Sequence, residues 1–223
     1  MAQHLQREVE QLKKKILTLG ATVEGSVHKA VDSIQRRDVD LADVVIAGDS
    51  AIDQFEVDLE EDCLKILALH QPVAIDLRFI VVVLKINSDL ERIGDLAANM
   101  AERSKFLATH AQITVPYDLF TLAEKAQKMV TQSLDSLVNL DSVLARDVCR
   151  MDTEVDTLNR EAFNSVKDTI KARPDQVDSL IAYLSISRYL ERIADHATNI
   201  AEDVIYMAEG TIARHSAEAF RKL

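Results

Sequence analysis

Apolar residues recur at spacings of three and four along most of the chain, with charged residues between them. In one representative stretch, Ile86, Leu90, Ile93, Ala97 and Met100 follow one another at intervals of four, three, four and three positions. This spacing places apolar side chains on one face of an α-helix that packs in a bundle. The whole pattern predicts long amphipathic helices over residues 5–37, 41–69, 74–110, 117–146, 148–171 and 175–208.

The sequence also contains an internal repeat. Residues 90–102, LERIGDLAANMAE, recur at residues 190–202 as LERIADHATNIAE, an offset of 100 positions. Further upstream, apolar and acidic positions between residues 34 and 53 match those between residues 137 and 156 at an offset of 103. Self-similarity that extends over several helices indicates two copies of one structural unit.

Length and composition agree with this interpretation. The chain has 223 residues, of which 48% are hydrophobic and only 4% aromatic, with no Trp, and this favours helices packed through aliphatic side chains over sheets. A chain of this length is long for a single helical bundle. We therefore expect an all-α fold of two tandem pseudo-symmetric three-helix bundles, the first over residues 1–112 and the second over residues 116–223.

Charge and patterning narrow the possible partners and the location. The formal net charge of -11 argues against nucleic acid, because binding to a phosphate backbone draws on Lys and Arg. The N-terminal residues are charged and amphipathic, unlike a secretory signal, so we expect a cytoplasmic protein. The densest apolar run, Phe79 to Leu84, is too short to cross a membrane, and we expect no direct membrane insertion.

Pairs of acidic residues four positions apart form the main candidate chemistry. Residues four apart on a helix differ by about 40° around the axis and about 6 Å along it, so each pair projects two carboxylates from one face. Like charges at this spacing do not stabilise a helix, and fold stability does not explain their repetition. The pairs are Asp49 with Asp53, Glu91 with Asp95, Asp152 with Asp156, and Glu191 with Asp195.

These pairs can form two cation sites. If the second and third helices of each half are antiparallel neighbours, two pairs face each other and supply four carboxylates, enough oxygen for a site of two or more cations. Asn99 and Asn199, one turn further on, are additional oxygen donors. The alternative is a solvated acidic face, because Glu91 lies on the side of its helix opposite the apolar seam.

Recognisable catalytic machinery is missing from the sequence. None of the six His residues recurs between the two halves, and no glycine-rich phosphate loop or nucleophile motif is present. A binding protein without catalytic residues is therefore the favoured interpretation. Two alternatives remain, a carboxylate-bridged metal-dependent hydrolase or oxidase that uses the same acids, and a purely structural bundle.

The repeated segments resemble the PhoU family, the accessory and regulatory proteins of the phosphate-specific transport system. The resemblance spans nearly the whole chain and is strongest in QPVAIDLR at residues 71–78, in residues 90–102, and in LERIADHATNIAEDVIYMAEG at residues 190–210. It implies two three-helix bundles with E/D-x-x-x-D motifs, which hold iron or zinc clusters in some members. All four acidic pairs match these motifs.

The resemblance also implies a function. It implies a homodimeric negative regulator of the phosphate-starvation response that acts between the ATP-binding subunit of the phosphate transporter and a phosphate-sensing histidine kinase. This sequence departs from perfect duplication at one place, because the second half has DQVDS where the first has AIDLR. A partner surface built on Asp76 and Arg78 would therefore exist in one half only.

Overall fold

A computed structural model describes residues 2–210 of the chain, and every long element in that range is an α-helix. No strand occurs among these residues, which confirms the predicted all-α fold. A single 3-10 turn, Pro174–Gln176, precedes the last helix. The helices are α1 (Ala2–Arg36), α2 (Val39–His70), α3 (Ala74–Ala108), α4 (Leu119–Asn139), α5 (Ser142–Ala172) and α6 (Val177–Glu209).

The break between α4 and α5 differs most from the predicted boundaries. The sequence pattern predicted helices over 117–146 and 148–171, whereas α4 ends at Asn139 and α5 begins at Ser142. Leu140 has a left-handed backbone (φ 52), and the Asp141 side chain accepts hydrogen bonds from the backbone N–H groups of Val143 and Leu144. An N-cap of this kind starts a new helix even within an unbroken apolar pattern.

The same cap occurs in the first half. Asp38, which lies 103 positions before Asp141, accepts a hydrogen bond from the backbone N–H of Leu41 at the start of α2. The residue before it, Arg37, is also left-handed (φ 54), as Leu140 is. The repeat therefore extends to the turn that reverses the chain between the first and second helices of each half.

Burial follows the repeat. The exposure pattern of residues 80–94 in α3 recurs position for position at residues 180–194 in α6. The residues of the predicted seam in α3 are all fully buried, which confirms their role in packing. In α2, the buried residues Ala42, Val45, Ile52, Leu59 and Cys63 correspond at the offset of 103 to Ala145, Val148, Val155, Ala162 and Val166, which are the buried residues of α5.

The two three-helix units pack against each other through α3 and α6. Lys85 Nζ lies 3.2 Å from a carboxylate oxygen of Asp203, and further along α3 Asp89 lies 2.8 Å from His196 Nδ1 and accepts a hydrogen bond from Asn199. These pairs run in opposite directions along the two helices, so α3 and α6 are antiparallel. Buried apolar side chains of both halves form one continuous cluster. The boundaries at residues 112 and 116 stay a prediction.

The surface of the bundle is largely polar along the helices. Within residues 2–210, no helix combines the length and the apolar character that a membrane span needs. The most exposed large apolar side chains lie around the connection between α2 and α3, where Leu69, Val73 and Ile75 are 72%, 75% and 77% exposed. Val73 and Ile75 of this exposed apolar end belong to the QPVAIDLR stretch, and the second half has DQVDS where the first has AIDLR.

Candidate metal centres

Three of the four predicted carboxylates of the first half converge between α2 and α3. Asp49, Asp53 and Asp95 each have an oxygen within 4.8 Å of the other two. The helices are antiparallel because only Gln71–Val73 connect them, so the C-terminal half of α3 returns alongside the N-terminal half of α2. We call this group the first acidic cluster. Glu91 lies beside it, since its charge and that of Asp95 interact, but it is outside the group of three.

The second half brings together a different three of its four predicted carboxylates. Asp156, Glu191 and Asp195 have oxygens within 4.8 Å of one another, and we call them the second acidic cluster. Asp152 is the member outside this group. Its carboxylate accepts a hydrogen bond of 3.2 Å from the Thr198 hydroxyl, and the first half has Ala98 in place of that Thr. The two clusters are therefore related by the repeat without being identical.

A glycine sets the distance between α2 and α3 beside the first cluster. A Cβ atom on Gly94 would lie 3.2 Å from two side-chain carbons of Ile52 and 3.7 Å from Asp49 Oδ1. At the repeat-related positions the second half has Val155 and Ala194. Ile52 is thus replaced by a smaller residue and Gly94 by a larger one. In the first half, the missing side chain at Gly94 leaves room for Ile52 beside the carboxylate of Asp49.

Burial and mutual repulsion disfavour the charged forms of the first-half acids. Partial burial, followed by the nearby charges of Asp53 and Asp95, raises the pKa of Asp49 above its ordinary value. Burial and the charge of Asp95 likewise raise the pKa of Glu91, against the opposing effect of Arg92. Carboxylates held together at this cost are the arrangement that a bound cation would stabilise.

The second half shows the same effect more strongly. Burial, then the charges of Glu191, Asp152 and Asp156, raises the pKa of Asp195 from 3.8 to about 6. Burial and the charge of Asp156 also raise the pKa of Asp152, although the hydrogen bond from Thr198 opposes the shift. The pKa of Glu191 is raised by burial first and by Asp156 second.

The donor atoms fit a hard cation. Every member of the two clusters is a carboxylate, and oxygen donors suit Mg²⁺, Mn²⁺ and iron. Asp49 Oδ1 is buried and has no hydrogen-bond partner among the residues that the structure describes, so it is free to bind an ion.

Some polar side chains near the clusters already form ion pairs or hydrogen bonds within the protein, and others keep an oxygen atom that a metal ion could use. Arg92 lies 3.5 Å from Glu91 and 3.7 Å from Asp95, so its guanidinium group is engaged in ion pairs with both carboxylates. The Asn99 amide nitrogen donates to the backbone carbonyl of Asp95 at 2.8 Å, so its oxygen is the atom left for a ligand. The Asn199 amide donates instead to Asp89 of α3. Both asparagines stay predicted ligands.

Reasoning from the sequence missed the polar residues around the clusters. Thr198 has no counterpart that would mark it in the repeat, because the first half has Ala98 at the equivalent position. Glu56 was also overlooked, although its charge acts on Glu91 and its own pKa is raised by burial and by Glu60. A search of α2 for every acid one turn beyond Asp53 would have found it.

Taken together, the fold and these clusters define a class of all-helical tandem-repeat proteins with a carboxylate cluster in each repeat. The sequence model of the PhoU domain matches residues 16–104 and again residues 119–204, one match in each half. The chain belongs to the PhoU family.

Named relatives and solved structures agree with this membership. A protein of Aquifex aeolicus, named phosphate-specific transport system accessory protein PhoU homolog, is 36% identical over 209 residues, which cover 94% of this chain and 95% of its own. The crystal structure of PhoU from Pseudomonas aeruginosa is 35% identical and superposes with a TM-score of 0.89 over 92% of this chain and 99% of that one. A phosphate transport system regulatory protein PhoU from Streptococcus pneumoniae is 28% identical, with a TM-score of 0.82 over 93% and 98% of the two chains.

Proposed function

We propose that this protein is a regulatory adaptor of phosphate uptake that restrains the phosphate-starvation response. In this proposal it acts between the ATP-binding subunit of the phosphate transporter and the phosphate-sensing histidine kinase. The supporting observation is similarity over almost the full length of both chains to proteins named as accessory or regulatory components of phosphate transport. Similarity over the whole length of both chains supports a shared regulatory role better than similarity over a single repeat would.

The proposed mechanism is differential binding. A helical protein without a reaction to catalyse transmits a signal only if it binds one state of a partner more tightly than another. The exposed apolar end at Leu69, Val73 and Ile75 is a suitable docking surface, because large apolar side chains exposed together mark interaction sites in soluble proteins. Since the second half lacks this sequence, the adaptor would present two different ends to its partners.

The acidic clusters have a structural role in this proposal. Metal ions, with iron or zinc as the candidates that the family resemblance suggests, would bind the carboxylates of each half and hold the second and third helices together. The ligands would come from Asp49, Asp53, Glu91 and Asp95 in the first half and from Asp152, Asp156, Glu191 and Asp195 in the second. Asn99 and Asn199 would supply further oxygen atoms. The support for this role is the convergence of two groups of three carboxylates.

Assembly and location complete the proposal. We expect a cytoplasmic homodimer in which each chain forms two three-helix units, residues 1–112 and 116–223. Sedimentation of the purified protein at micromolar concentration measures the oligomeric state. Limited proteolysis within residues 112–116, followed by unfolding of the fragments, tests whether the two units are separable.

A genetic experiment tests the regulatory role. Deleting the gene should leave a phosphate-responsive reporter active even in abundant phosphate, because the restraint between transporter and kinase would be gone. Reintroducing the wild-type gene should restore repression. A deletion strain that represses the reporter normally in high phosphate would contradict the regulatory assignment.

The same strain tests the clusters. Replacing Glu91, Asp95, Glu191 and Asp195 together by Ala should weaken repression if bound metal shapes the docking surfaces. The matched control replaces the exposed Glu124 and Asp135 of α4 by Ala, which removes acidic charge from residues that belong to neither cluster. Protein levels are measured in parallel. If the cluster variant represses like wild type, the metals are dispensable for signalling and the adaptor role stands without them.

The alternative, a metal-dependent hydrolase or oxidase, uses the same carboxylates for catalysis. It is supported less well, because the two clusters contain no His and no nucleophile. A panel of phosphoesters incubated with metal-loaded protein distinguishes the two. Turnover that disappears in the Glu191→Ala variant would favour the enzyme, whereas an inactive protein that still restores repression in the deletion strain would favour the adaptor.

A further inference from the structure

A groove of about 440 Å³ runs between α5 and α6 next to the second acidic cluster. Asp156 and Glu191 of that cluster form part of its wall, together with Asn159 and Phe163. Two basic residues complete the lining, Arg160 from α5 and Arg188 from α6. Carboxylates and guanidinium groups therefore share one open groove.

Neither arginine is held by a short contact, although the charge of Arg188 acts on Glu191 and opposes the rise in the pKa of that carboxyl that burial causes. Among residues 2–210, Arg160 and Arg188 form no hydrogen bond and no ion pair within 4.0 Å, and both side chains are exposed. Arg92 of the first half, by contrast, is paired with Glu91 and Asp95. Two unpaired guanidinium groups on facing helices leave up to ten N–H donors free for a ligand.

The first half lacks these arginines. At the repeat-related positions it has Val57 in place of Arg160 and Ser88 in place of Arg188. Asn159 and Phe163 are replaced by Glu56 and Glu60. Two carboxylates of the first half are therefore exchanged for Asn and Phe in the second, and two arginines are gained. Among the differences between the halves, this one gives only the second half a groove lining suited to an anion.

We propose that this groove binds a phosphate group through Arg160 and Arg188, next to a cation held by Asp156, Glu191 and Asp195. This inference rests on the proposed metal site. Guanidinium groups bind phosphate through paired, charge-assisted hydrogen bonds. The neighbouring carboxylates would repel the anion if they were bare, and a multivalent cation between them converts the repulsion into attraction.

The groove also has room beside a phosphate. Phe163 is 52% exposed there, and Leu184 lies opposite it. Two sources of the phosphate group fit this lining. One is inorganic phosphate, which would use the arginines and the cation alone. The other is a small organic phosphate such as a nucleotide, whose base would also stack on the Phe163 ring.

Equilibrium dialysis of the full-length protein loaded with Mn²⁺ tests the inference, with radiolabelled inorganic phosphate as the probe. We expect one saturable site per chain. Arg160→Ala and Arg188→Ala should each weaken phosphate binding by about tenfold, since a hydrogen bond to a charged group contributes about that factor. Lys167→Ala, which removes the same charge from an exposed position of α5 outside the groove, should leave binding unchanged.

Two further variants sharpen the assignment. Replacing Val57 and Ser88 by Arg, together with Glu56→Asn and Glu60→Phe, should create a second phosphate site, because these four changes give the first half the groove residues of the second. Repeating the titration with AMP distinguishes the two sources. If Phe163→Ala weakens AMP binding and leaves inorganic phosphate unaffected, the natural ligand class is an organic phosphate. Tighter binding of inorganic phosphate than of AMP, with no effect of Phe163→Ala on either, assigns the free ion.

The outcomes separate this inference from the proposed metal site. If Mn²⁺ binds but phosphate does not, the phosphate site is refuted while the metal site stands. The same holds if phosphate binds equally well to wild type and to the variant that combines Arg160→Ala with Arg188→Ala. If Mn²⁺ does not bind, the metal proposal fails and phosphate is titrated without metal. Saturable binding that the arginine variants abolish would then support an anion site formed by the arginines alone, and no binding would overturn it.

Discussion

Asp195 offers a direct test of how the second acidic cluster affects stability. Burial, followed by the charges of Glu191, Asp152 and Asp156, raises its pKa from 3.8 to about 6, and the nearby His196 acts in the opposite direction. The metal-free native state therefore keeps the proton that the unfolded chain loses more readily. Replacing Asp195 by Asn removes the charge and retains the shape of the side chain.

The sign and size of the effect follow from linkage. Below the ordinary value of 3.8 the carboxyl is neutral in both states and costs nothing. Between that value and about 6 the native state binds more protons than the unfolded state, so the free energy of unfolding falls as the pH rises. A pKa change of this size corresponds to about 3 kcal/mol. Because the side chain is partly exposed, screening reduces the expected cost to about 1–2 kcal/mol.

Urea unfolding in the presence of a chelator measures the effect. Circular dichroism at the helix band is the suitable signal, because the chain has no Trp. The Asp195→Asn variant should be about as stable as wild type near pH 4 and more stable by about 1–2 kcal/mol at pH 7. Saturating metal should reverse the order, since the variant loses a ligand. A stability difference that does not change with pH would refute the reasoning.

Other measurements test the metal sites, the helix boundaries and the packing. Mn²⁺ at a hundredfold excess over its dissociation constant should stabilise wild type by about 2.7 kcal/mol for each occupied site, and an unchanged melting temperature in verified metal-loaded protein would count against a site linked to folding. Asp141→Ala should cost about 1 kcal/mol through the lost cap of α5, while the adjacent Ser142→Ala should have a smaller effect in the same urea titration. Gly94→Ala should destabilise the protein, because the new methyl group overpacks against Ile52 at a cost of about 1–3 kcal/mol. The higher helix propensity of Ala offsets roughly 1 kcal/mol of that cost. Combined with Ile52→Val, the same change should be tolerated better, with a coupling of about 0.5 kcal/mol or more, and strict additivity would contradict the close contact.

The sequence predicted the helices and the repeat well because both depend on local periodicity. A seam such as Ile86 to Met100 has to be buried, whichever neighbours cover it, and the same pattern 100 positions later has to fold in the same way. The boundary between α4 and α5 was predicted poorly, since the apolar spacing continues past Leu140. The capping aspartate was nevertheless visible in the repeat, as the partner of Asp38.

The candidate ligands were predictable only as pairs. A spacing of four places two carboxylates on one face of a helix, and the sequence alone determines this. Which carboxylates of different helices meet depends on how closely the helices approach and on how they are rotated. The two halves show this, because Glu91 lies outside the first group of three whereas its counterpart Glu191 belongs to the second.

The sequence by itself determined an all-helical, doubled chain with repeated acidic pairs and the family to which it belongs. Tertiary structure decided the rest, because it depends on contacts between residues far apart in the chain. The packing of α2 on α3 placed Ile52 against Gly94, close to the carboxylate of Asp49. The packing of α5 on α6 put Arg160 and Arg188 into one groove, although 28 positions separate them along the chain. Periodicity along one helix contains no information about which side chains of another helix will lie opposite it.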